Sequence, residues 1–199
     1  SQRELINYQN LFNNNFNNNH LIGLGINQQL IYDKNEKFYN SFSIYDFSFK
    51  TIDGTDFDMS SLKGKKVLIV NVASKCGLTT QYGQLEALYR EYKHLNFEIL
   101  AFPSTNFANQ EFSDSEQISS FCSSTYGVSF IIFEKINVLG KNKHPLYQWL
   151  TEKSKNGRKN IPVLWNFQKF TIDEEGNWVD YFLPTTSPKS KKITRWINS

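Results

Sequence analysis

The sequence predicts an α/β domain with a mixed central sheet, and two local patterns support this. The first is an apolar strand (67–73), an amphipathic helix and a second apolar strand (97–102), an order that gives a parallel pair joined by a right-handed crossover. The second is a late pair of strands, 167–172 and 178–182, separated by an acidic turn ending in Gly176, which predicts an antiparallel hairpin. One sheet that contains both pairs is mixed.

The remaining elements are assigned from caps and spacing. The helix of the crossover follows Thr79 or Thr80, either of which can cap it, and its apolar residues recur at helical spacing. A second helix is predicted over 114–126, with a capping box formed by Ser113 and Glu116. Further predictions are a strand at 47–52 before a turn at Asp53-Gly54, a strand at 131–136, and helices at 145–150 and 188–198.

Composition excludes several classes of protein. The formal net charge of +3 over 199 residues is too small to indicate nucleic-acid binding, and there is no apolar run long enough for a membrane-spanning helix. The chain has only two cysteines, and its three histidines show no ligand spacing around them, so we expect no metal and no cofactor. Two thiols in a chain of this size fit a reducing compartment.

Residues 1–42 differ in composition from residues 43–199. They are rich in asparagine and show no helical or strand period, which predicts a disordered extension ahead of a single domain at 43–199. A remnant of a targeting sequence is the alternative, although one arginine and several acidic residues are unfavourable for a transit peptide. We expect a cytoplasmic protein, or an organellar one if a missing leader targets it, since the sequence starts at Ser1 and not at Met.

The best candidate for chemistry is Cys76, which lies between the first apolar strand and the helix after it. Loops at the carboxyl ends of parallel strands form the usual crevice of open α/β sheets. The N-terminus of the following helix offers N–H groups and a positive dipole end that favour a thiolate, and Lys75 adds a nearby charge. A thiol of ordinary pKa is only about 3% ionised at pH 7. Considered alone, Cys76 is equally compatible with a small packing residue.

Three segments together resemble a known family. The stretches 71–77 (NVASKCG), 101–111 (AFPSTNFANQE) and 165–170 (WNFQKF) are similar, in the same order, to the three motifs of glutathione peroxidases, in the form with cysteine in place of selenocysteine. The resemblance covers the chain from about residue 42 to the C-terminus. It implies a thioredoxin-like fold with helices flanking the mixed sheet, and an enzyme that reduces hydroperoxides.

The resemblance also implies roles for individual residues. Cys76 corresponds to the peroxidatic nucleophile, Gln110 to the catalytic glutamine, and Trp165 and Asn166 to the family's tryptophan and asparagine. N–H groups of the last three can donate to sulfur and stabilise a thiolate. The second motif departs from the family pattern, with 104–106 in place of Cys-Asn-Gln, 108–109 in place of a glycine pair, and Phe112 in place of proline. We therefore expect the loop around Gln110 to sit slightly differently.

Cys122 matches the resolving cysteine that thioredoxin-using members carry on the helix after the second motif. In that reading Cys76 forms a sulfenic acid, Cys122 condenses with it to a disulfide, and thioredoxin reduces the disulfide. Because serines and a threonine surround Cys122, we expect the helix to unwind easily. The alternatives are an inert core thiol on the face shared with Ile118 and Phe121, and direct reduction by glutathione as a weaker donor.

Other interpretations fit less well or stay open. Peroxiredoxins place proline and threonine where this chain has Ile69 and Ala73, and thioredoxins would have a cysteine at Thr79. A redox sensor that passes a Cys76–Cys122 disulfide to a partner is a non-enzymatic alternative. The short segment between Gly140 and Trp165 favours a monomer. Two runs of basic residues are solvated faces or a weak contact for lipid head groups: Lys153, Lys155, Arg158 and Lys159, and Lys189, Lys191, Lys192 and Arg195.

Overall fold

The computed structural model describes residues 42–199 and, before them, only the backbone of a short antiparallel pair of strands. That pair consists of β1 (Ile31–Tyr32) and β2 (Phe38–Tyr39). The rest of the Asn-rich extension lies outside the described residues, so its disorder remains a prediction. Among the residues that the structure describes, no helix is long and apolar enough to cross a membrane.

The centre of the domain is a five-stranded mixed sheet, which confirms the predicted fold class. Strand β5 (Lys66–Val72) lies in the middle and pairs in parallel with β6 (Phe97–Pro103), which in turn pairs in parallel with β7 (Ile131–Ile132). On its other side β5 pairs antiparallel with β8 (Lys169–Ile172), and β8 with β9 (Trp178–Phe182). The two patterns read from the sequence are therefore the two halves of this sheet.

Helices cover both faces of the sheet. The crossover helix is α1 (Gln81–Tyr92), and α2 (Ser115–Tyr126) follows the loop after β6. The later helices are α3 (Pro145–Thr151), α4 (Lys153–Asn156) and the closing α5 (Lys191–Ile197). A small hairpin of β3 (Phe49–Lys50) and β4 (Asp56–Phe57) lies before the sheet, and Gly54 supplies the positive φ of its predicted turn.

Strand residues alternate between two apolar cores, as the pleat of a buried strand requires. Val67 and Ile69 of β5 pack on the face covered by α3, together with Trp149 and Leu146. The other face carries the side chains that bury α1, α2 and α5, and both cysteines belong to it: Leu68, Val70, Val72, Cys76, Tyr82, Leu85, Ile118, Cys122 and Ile193. The thiols therefore lie on the same side of the sheet.

Several boundaries differ from the sequence predictions. Strand β3 covers only Phe49–Lys50 of the predicted 47–52, and β8 begins at Lys169, two residues after its predicted start. The strand expected at 131–136 ends at Ile132, because the next residues turn to the β3 hairpin, where the Glu134 N–H donates to the Lys50 carbonyl (3.0 Å). Helix α2 is capped by Asp114 and not by Ser113, since the Asp114 carboxylate accepts the Glu116 N–H (2.7 Å). The closing helix begins at Lys191, three residues after the predicted start.

Residues near both ends of the domain lie at the amino end of β5. The Ile44 N–H donates to the Gly176 carbonyl (2.9 Å) in the turn between β8 and β9. Gly176 has φ +85°, and a Cβ there would lie 2.5 Å from the Tyr45 ring, so this turn requires glycine. At the same end the Lys66 ammonium donates to the carbonyls of Trp196 (2.9 Å) and Ser199 (2.6 Å), which caps α5 with a positive charge.

Acid sensitivity is expected from His144, which caps α3. Its Nδ1 accepts the Leu146 N–H (3.2 Å), and burial lowers the pKa of His144 to about 4. An unfolded histidine titrates near 6.5, so the unfolded state binds the extra proton first. Stability is therefore lost as pH falls from about 6.5 to about 4, by at most about 3 kcal/mol. His144→Asn keeps a cap without a titrating group. We expect the free energy of unfolding of this variant, measured in urea, to lack the decrease between pH 6.5 and 4 that is due to His144. An unchanged pH slope would contradict the assignment.

Candidate active site

Cys76 lies in a tight turn between the carboxyl end of β5 and the start of α1. Its side chain is 8% exposed, and its sulfur accepts the Leu78 N–H at 3.4 Å. The Thr79 hydroxyl accepts the Cys76 N–H (2.9 Å) and lies within hydrogen-bonding distance of the Ala73 carbonyl (3.0 Å). Of the two residues predicted to cap α1, Thr79 is thus engaged within the Cys76 turn. Thr80 occupies the cap position, with no side-chain cap hydrogen bond to the described chain.

The sequence suggested that Lys75 adds a positive charge near Cys76, but in the structure its ammonium lies beside an aromatic ring. The side chain is exposed, and its ammonium lies 4.1 Å from the centre of the Phe112 ring, a cation–π distance. Lys75 instead connects the first loop to the second through its backbone, since its N–H donates to the Gln110 carbonyl (2.8 Å). The neighbouring Ser74 N–H donates to the Glu111 carboxylate (3.1 Å). Two adjacent residues thus bind the Cys76 loop to the Gln110 loop.

The third loop is attached through Asn71, the last but one residue of β5. Its amide donates to the Trp165 carbonyl (3.0 Å), and its own carbonyl accepts the Phe167 N–H (2.6 Å). Phe167 has φ +68°, an unfavourable conformation for a bulky residue, which these bonds on either side of Asn166 hold in place. Asn71 belongs to the first motif, and the sequence alone assigns it no role. Only the folded sheet shows that it positions the third motif.

The structure brings Gln110 and Asn166 into direct contact. The Asn166 amide donates to the Gln110 amide oxygen (3.1 Å), which leaves the –NH₂ group of Gln110 available as a donor. Asn166 is fully buried, whereas Trp165 is 39% exposed and packs its ring 5.2 Å from that of Phe107. These residues therefore share one edge of the sheet with the Cys76 turn.

The departures in the second motif place non-glycine residues in left-handed backbone. Ala108 and Asn109 both adopt left-handed conformations, with φ of +51° and +50°, where the family usually has glycines. Buried Ser104 lies 2.9 Å from the side-chain oxygen of Asn106, and that oxygen also accepts the Val138 N–H (2.6 Å). The Asn106 side chain thus ties this loop to Val138, and Gln110 contacts Asn166 with the changed residues in place.

Cys122 lies on α2, in the same apolar core as Cys76 but in a different environment. It is 1% exposed, and burial raises the pKa of its thiol to about 11. The two thiols are free in this structure. The Cys122 thiol is therefore almost entirely protonated at neutral pH in this environment.

The left-handed conformation of Ala108 has a measurable cost. A Cβ disfavours this region by about 1–2 kcal/mol, which outweighs the greater flexibility of glycine when unfolded. We expect Ala108→Gly to raise the free energy of unfolding by about 1 kcal/mol in urea. Asn109→Gly is the matched control and should change it less, because asparagine tolerates this conformation. A loss of stability in Ala108→Gly would contradict the backbone assignment.

Comparison with known proteins identifies the family. The glutathione peroxidase family model matches residues 44–151. A glutathione peroxidase homologue from Halalkalibacterium halodurans is 49% identical over 146 residues, covering 73% of this chain and 92% of the relative. A probable phospholipid hydroperoxide glutathione peroxidase from Mesembryanthemum crystallinum is 48% identical over 160 residues, covering 79% of this chain and 94% of that protein.

Solved structures give the same result for the fold. The crystal structure of apo Trgpx has a TM-score of 0.61 and 35% identity, covering 79% of this chain and 97% of its own. A thioredoxin-family thiol:disulfide interchange protein from Chlorobium tepidum has a TM-score of 0.58 at 16% identity, covering 81% and 99% of the two chains. The second likeness shows the thioredoxin-like fold alone. With the family model and the close relatives, the chain belongs to the glutathione peroxidase family and is a peroxidase.

Proposed function

We propose that this peroxidase reduces hydroperoxides through Cys76, with Cys122 as the resolving thiol and thioredoxin as the reductant. The observation that carries the proposal is that hydrogen bonds join three loops around the Cys76 turn, at one edge of the sheet. Lys75, Asn71 and Asn166 provide the hydrogen bonds between those loops. A nucleophile that needs donors in fixed positions is served by such an arrangement.

The first step is attack of the Cys76 thiolate on a hydroperoxide oxygen. A sulfur–oxygen bond forms, the O–O bond breaks, and the departing oxygen takes a proton to leave as water or an alcohol. The sulfur is oxidised to a sulfenic acid and the peroxide is reduced. The Leu78 N–H stabilises the thiolate, and we assign Gln110, Trp165 and Asn166 as donors to the sulfur and the developing oxyanion.

The second step joins the two cysteines. The Cys122 sulfur displaces the hydroxyl of the Cys76 sulfenic acid, which gives a disulfide and water, and a dithiol of the thioredoxin type then reduces the disulfide. Support comes from the position of Cys122, buried in the same core as Cys76 and on the helix that follows the Gln110 loop. A cysteine in that place can reduce the Cys76 sulfenic acid within the same molecule, before an external dithiol acts.

Helix α2 is held loosely enough to move. Of its twelve residues only Ile118 and Cys122 are buried. Ser123 and Ser124 both lie within hydrogen-bonding distance of the Ser120 carbonyl (3.2 and 2.6 Å), a type of contact that weakens helices. Phe121 and Tyr126 also pack their rings against Tyr82, so the helix is attached along one face. A segment attached in this way can open below the free energy of global unfolding. We therefore infer that α2 unwinds in each cycle to bring Cys122 to Cys76.

The exposed side chains beside the site suit lipid hydroperoxides as substrates. Next to the site Leu164 is 54% exposed and Trp165 39% exposed, and Lys153, Arg158 and Lys159 are exposed on the segment that leads to them. Apolar side chains beside basic ones suit a weak contact with a lipid surface. We propose a monomer with an open cleft that accepts hydrogen peroxide as well as bulky organic hydroperoxides.

Two alternatives lead to different experiments. If glutathione resolves the sulfenic acid directly, Cys122 is a packing residue and its replacement leaves turnover unchanged. If the protein is a peroxide-sensing relay, it forms the disulfide but turns over slowly with thioredoxin. The family membership favours catalysis, and the position of Cys122 favours the two-cysteine cycle.

We expect peroxide-dependent NADPH oxidation with thioredoxin and its reductase to be fast in the wild type and to fall at least tenfold in Cys122→Ser, because the sulfenic acid then lacks an internal thiol. The same variant assayed with glutathione and its reductase is the comparison. Equal turnover with glutathione in both proteins would contradict the resolving role. Loss of turnover in Cys76→Ser with either donor is required in every version of the mechanism.

Unwinding of α2 is tested by amide hydrogen exchange on the reduced and the disulfide forms. We expect residues 115–126 to lose protection in the oxidised protein, while β5 and β6 keep theirs, because the disulfide removes Cys122 from the core. The Cys122→Ser protein treated with peroxide serves as the control and should keep α2 protected. Protection of α2 equal to that of the sheet after oxidation would rule out unwinding.

A further inference from the structure

A group of polar side chains lies buried beside Cys122, and the mechanism above does not use it. Ser74 Oγ, Tyr82 Oη and Glu111 Oε2 are each buried without a hydrogen bond of ordinary geometry to any described residue. We call these three residues and Cys122 the buried polar cluster. Unpaired polar atoms in a core are costly, and several in one place call for an explanation beyond packing.

The four side chains are arranged in a chain of neighbours. The thiol of Cys122 interacts with the hydroxyl of Tyr82, the Tyr82 hydroxyl with that of Ser74, and Ser74 with the carboxyl of Glu111. Each hydroxyl can donate in one direction and accept in the other. Imperfect alignment in the resting state is usual for proton-transferring groups, which tighten during the reaction.

Glu111 is the last member of this row of side chains, and one of its carboxylate oxygens has no hydrogen-bond partner among the described residues. Its Oε1 accepts the backbone N–H groups of Ser74 (3.1 Å) and Phe112 (2.9 Å). Burial raises the pKa of Glu111, and the charge of Lys135 partly offsets this. Lys135 itself donates to the backbone carbonyls of Phe112 and Ser113. Glu111 is therefore a better proton acceptor than an exposed carboxylate, and the unpaired Oε2 can take the proton.

Cys122 needs such an acceptor. With its pKa raised to about 11, only about one molecule in ten thousand holds the thiolate at pH 7. If its proton passes to Glu111, negative charge moves from the carboxylate to the sulfur, and the core gains no net charge. The transfer also removes the Glu111 charge that opposes ionisation of Cys122.

We propose that Glu111 accepts the proton of Cys122 through the hydroxyls of Tyr82 and Ser74, which makes Cys122 a nucleophile before α2 opens. The inference rests on the two-cysteine cycle proposed above. The S–H bond of Cys122 breaks, its proton moves along the relay, and the thiolate forms the S–S bond with Cys76. The sulfenic oxygen leaves as hydroxide and takes up a proton to give water. The thiol sulfur is oxidised and the sulfenic sulfur reduced, so no outside electron is needed.

The relay is tested on the resolving step alone. The reduced protein is mixed with one equivalent of hydrogen peroxide, quenched with an alkylating reagent at set times, and scored by mass spectrometry for sulfenic acid and for disulfide. Both rates come from one time course, so that any change in Cys76 oxidation is separated from the rate of disulfide formation. The variants are Glu111→Gln, which keeps the acceptor for the Ser74 and Phe112 N–H groups, Tyr82→Phe and Ser74→Ala.

A matched control exists for Tyr82→Phe. Tyr147 carries an equally buried and unpaired hydroxyl in the core on the other face of the sheet. Removing either hydroxyl takes away a polar atom that the fold does not pair, so neither change should reduce stability. We expect Tyr147→Phe to form the disulfide at the wild-type rate, and the three relay variants to form it about 100-fold more slowly.

The pH profile separates proton transfer from a structural role. In the wild type the rate of disulfide formation should fall at low pH as Glu111 becomes protonated, and be level above that. In Glu111→Gln the level region disappears, and the rate should rise about tenfold per pH unit throughout as the thiol ionises on its own. Disulfide formation at the wild-type rate in all relay variants overturns the proposal. No disulfide in the wild type overturns the two-cysteine cycle itself, which is a separate result.

Discussion

The parallel pairing of β5 with β6 is the constraint on which the site depends. Seven residue pairs, from Lys66–Phe97 to Val72–Pro103, keep the two strands in register, so their carboxyl ends stop at the same level. The loop that carries Cys76 and the loop that carries Gln110 therefore leave the sheet side by side. Because β8 runs antiparallel to β5, the segment before β8 arrives at that same edge with Trp165 and Asn166.

Once the strands have set the three loops next to one another, backbone groups provide most of the bonds between them. The N–H groups of Ser74, Lys75 and Phe167 all donate across loops, and main-chain bonds leave little freedom for relative motion. The strain at Phe167 and at Ala108 is borne by this framework, as is common at functional sites. The surrounding structure therefore holds the three loops in fixed relative positions.

The sequence was informative where the signal is local. The apolar runs of β5 and β6, the turn before β9 and the helical spacing of α1 depend on neighbouring residues only, and these elements were predicted correctly. The contacts of Asn71, Thr79 and Glu111 were not foreseen, because each joins residues that the fold alone brings together. Asp114 displaced Ser113 as the cap by a single position, a difference that spacing rules do not resolve. The motif residues were found through family resemblance, and their roles remain proposals.

The two thiols share one core but have different neighbours. Cys76 lies in a turn, where the Leu78 N–H reaches its sulfur, while Cys122 lies among apolar side chains on α2. Burial protects Cys122 from oxidants that reach the surface, and it also withholds reactivity until a proton is removed. In the two-cysteine cycle that we propose, Cys122 acts second, after Cys76 has been oxidised.

The placement of the domain's two ends has a practical consequence for attachment. Ile44 is held at the turn between β8 and β9, and Ser199 is bound to Lys66, so both lie at the amino end of β5. Cys76 and the loops around it lie at the carboxyl end, on the far side of the sheet. An affinity handle, a fused fluorescent domain or a surface linker joined at residue 199 is therefore anchored at the end of the molecule opposite the reactive sulfur. Immobilised in that way, the molecule presents the edge of the sheet that carries Cys76 outward.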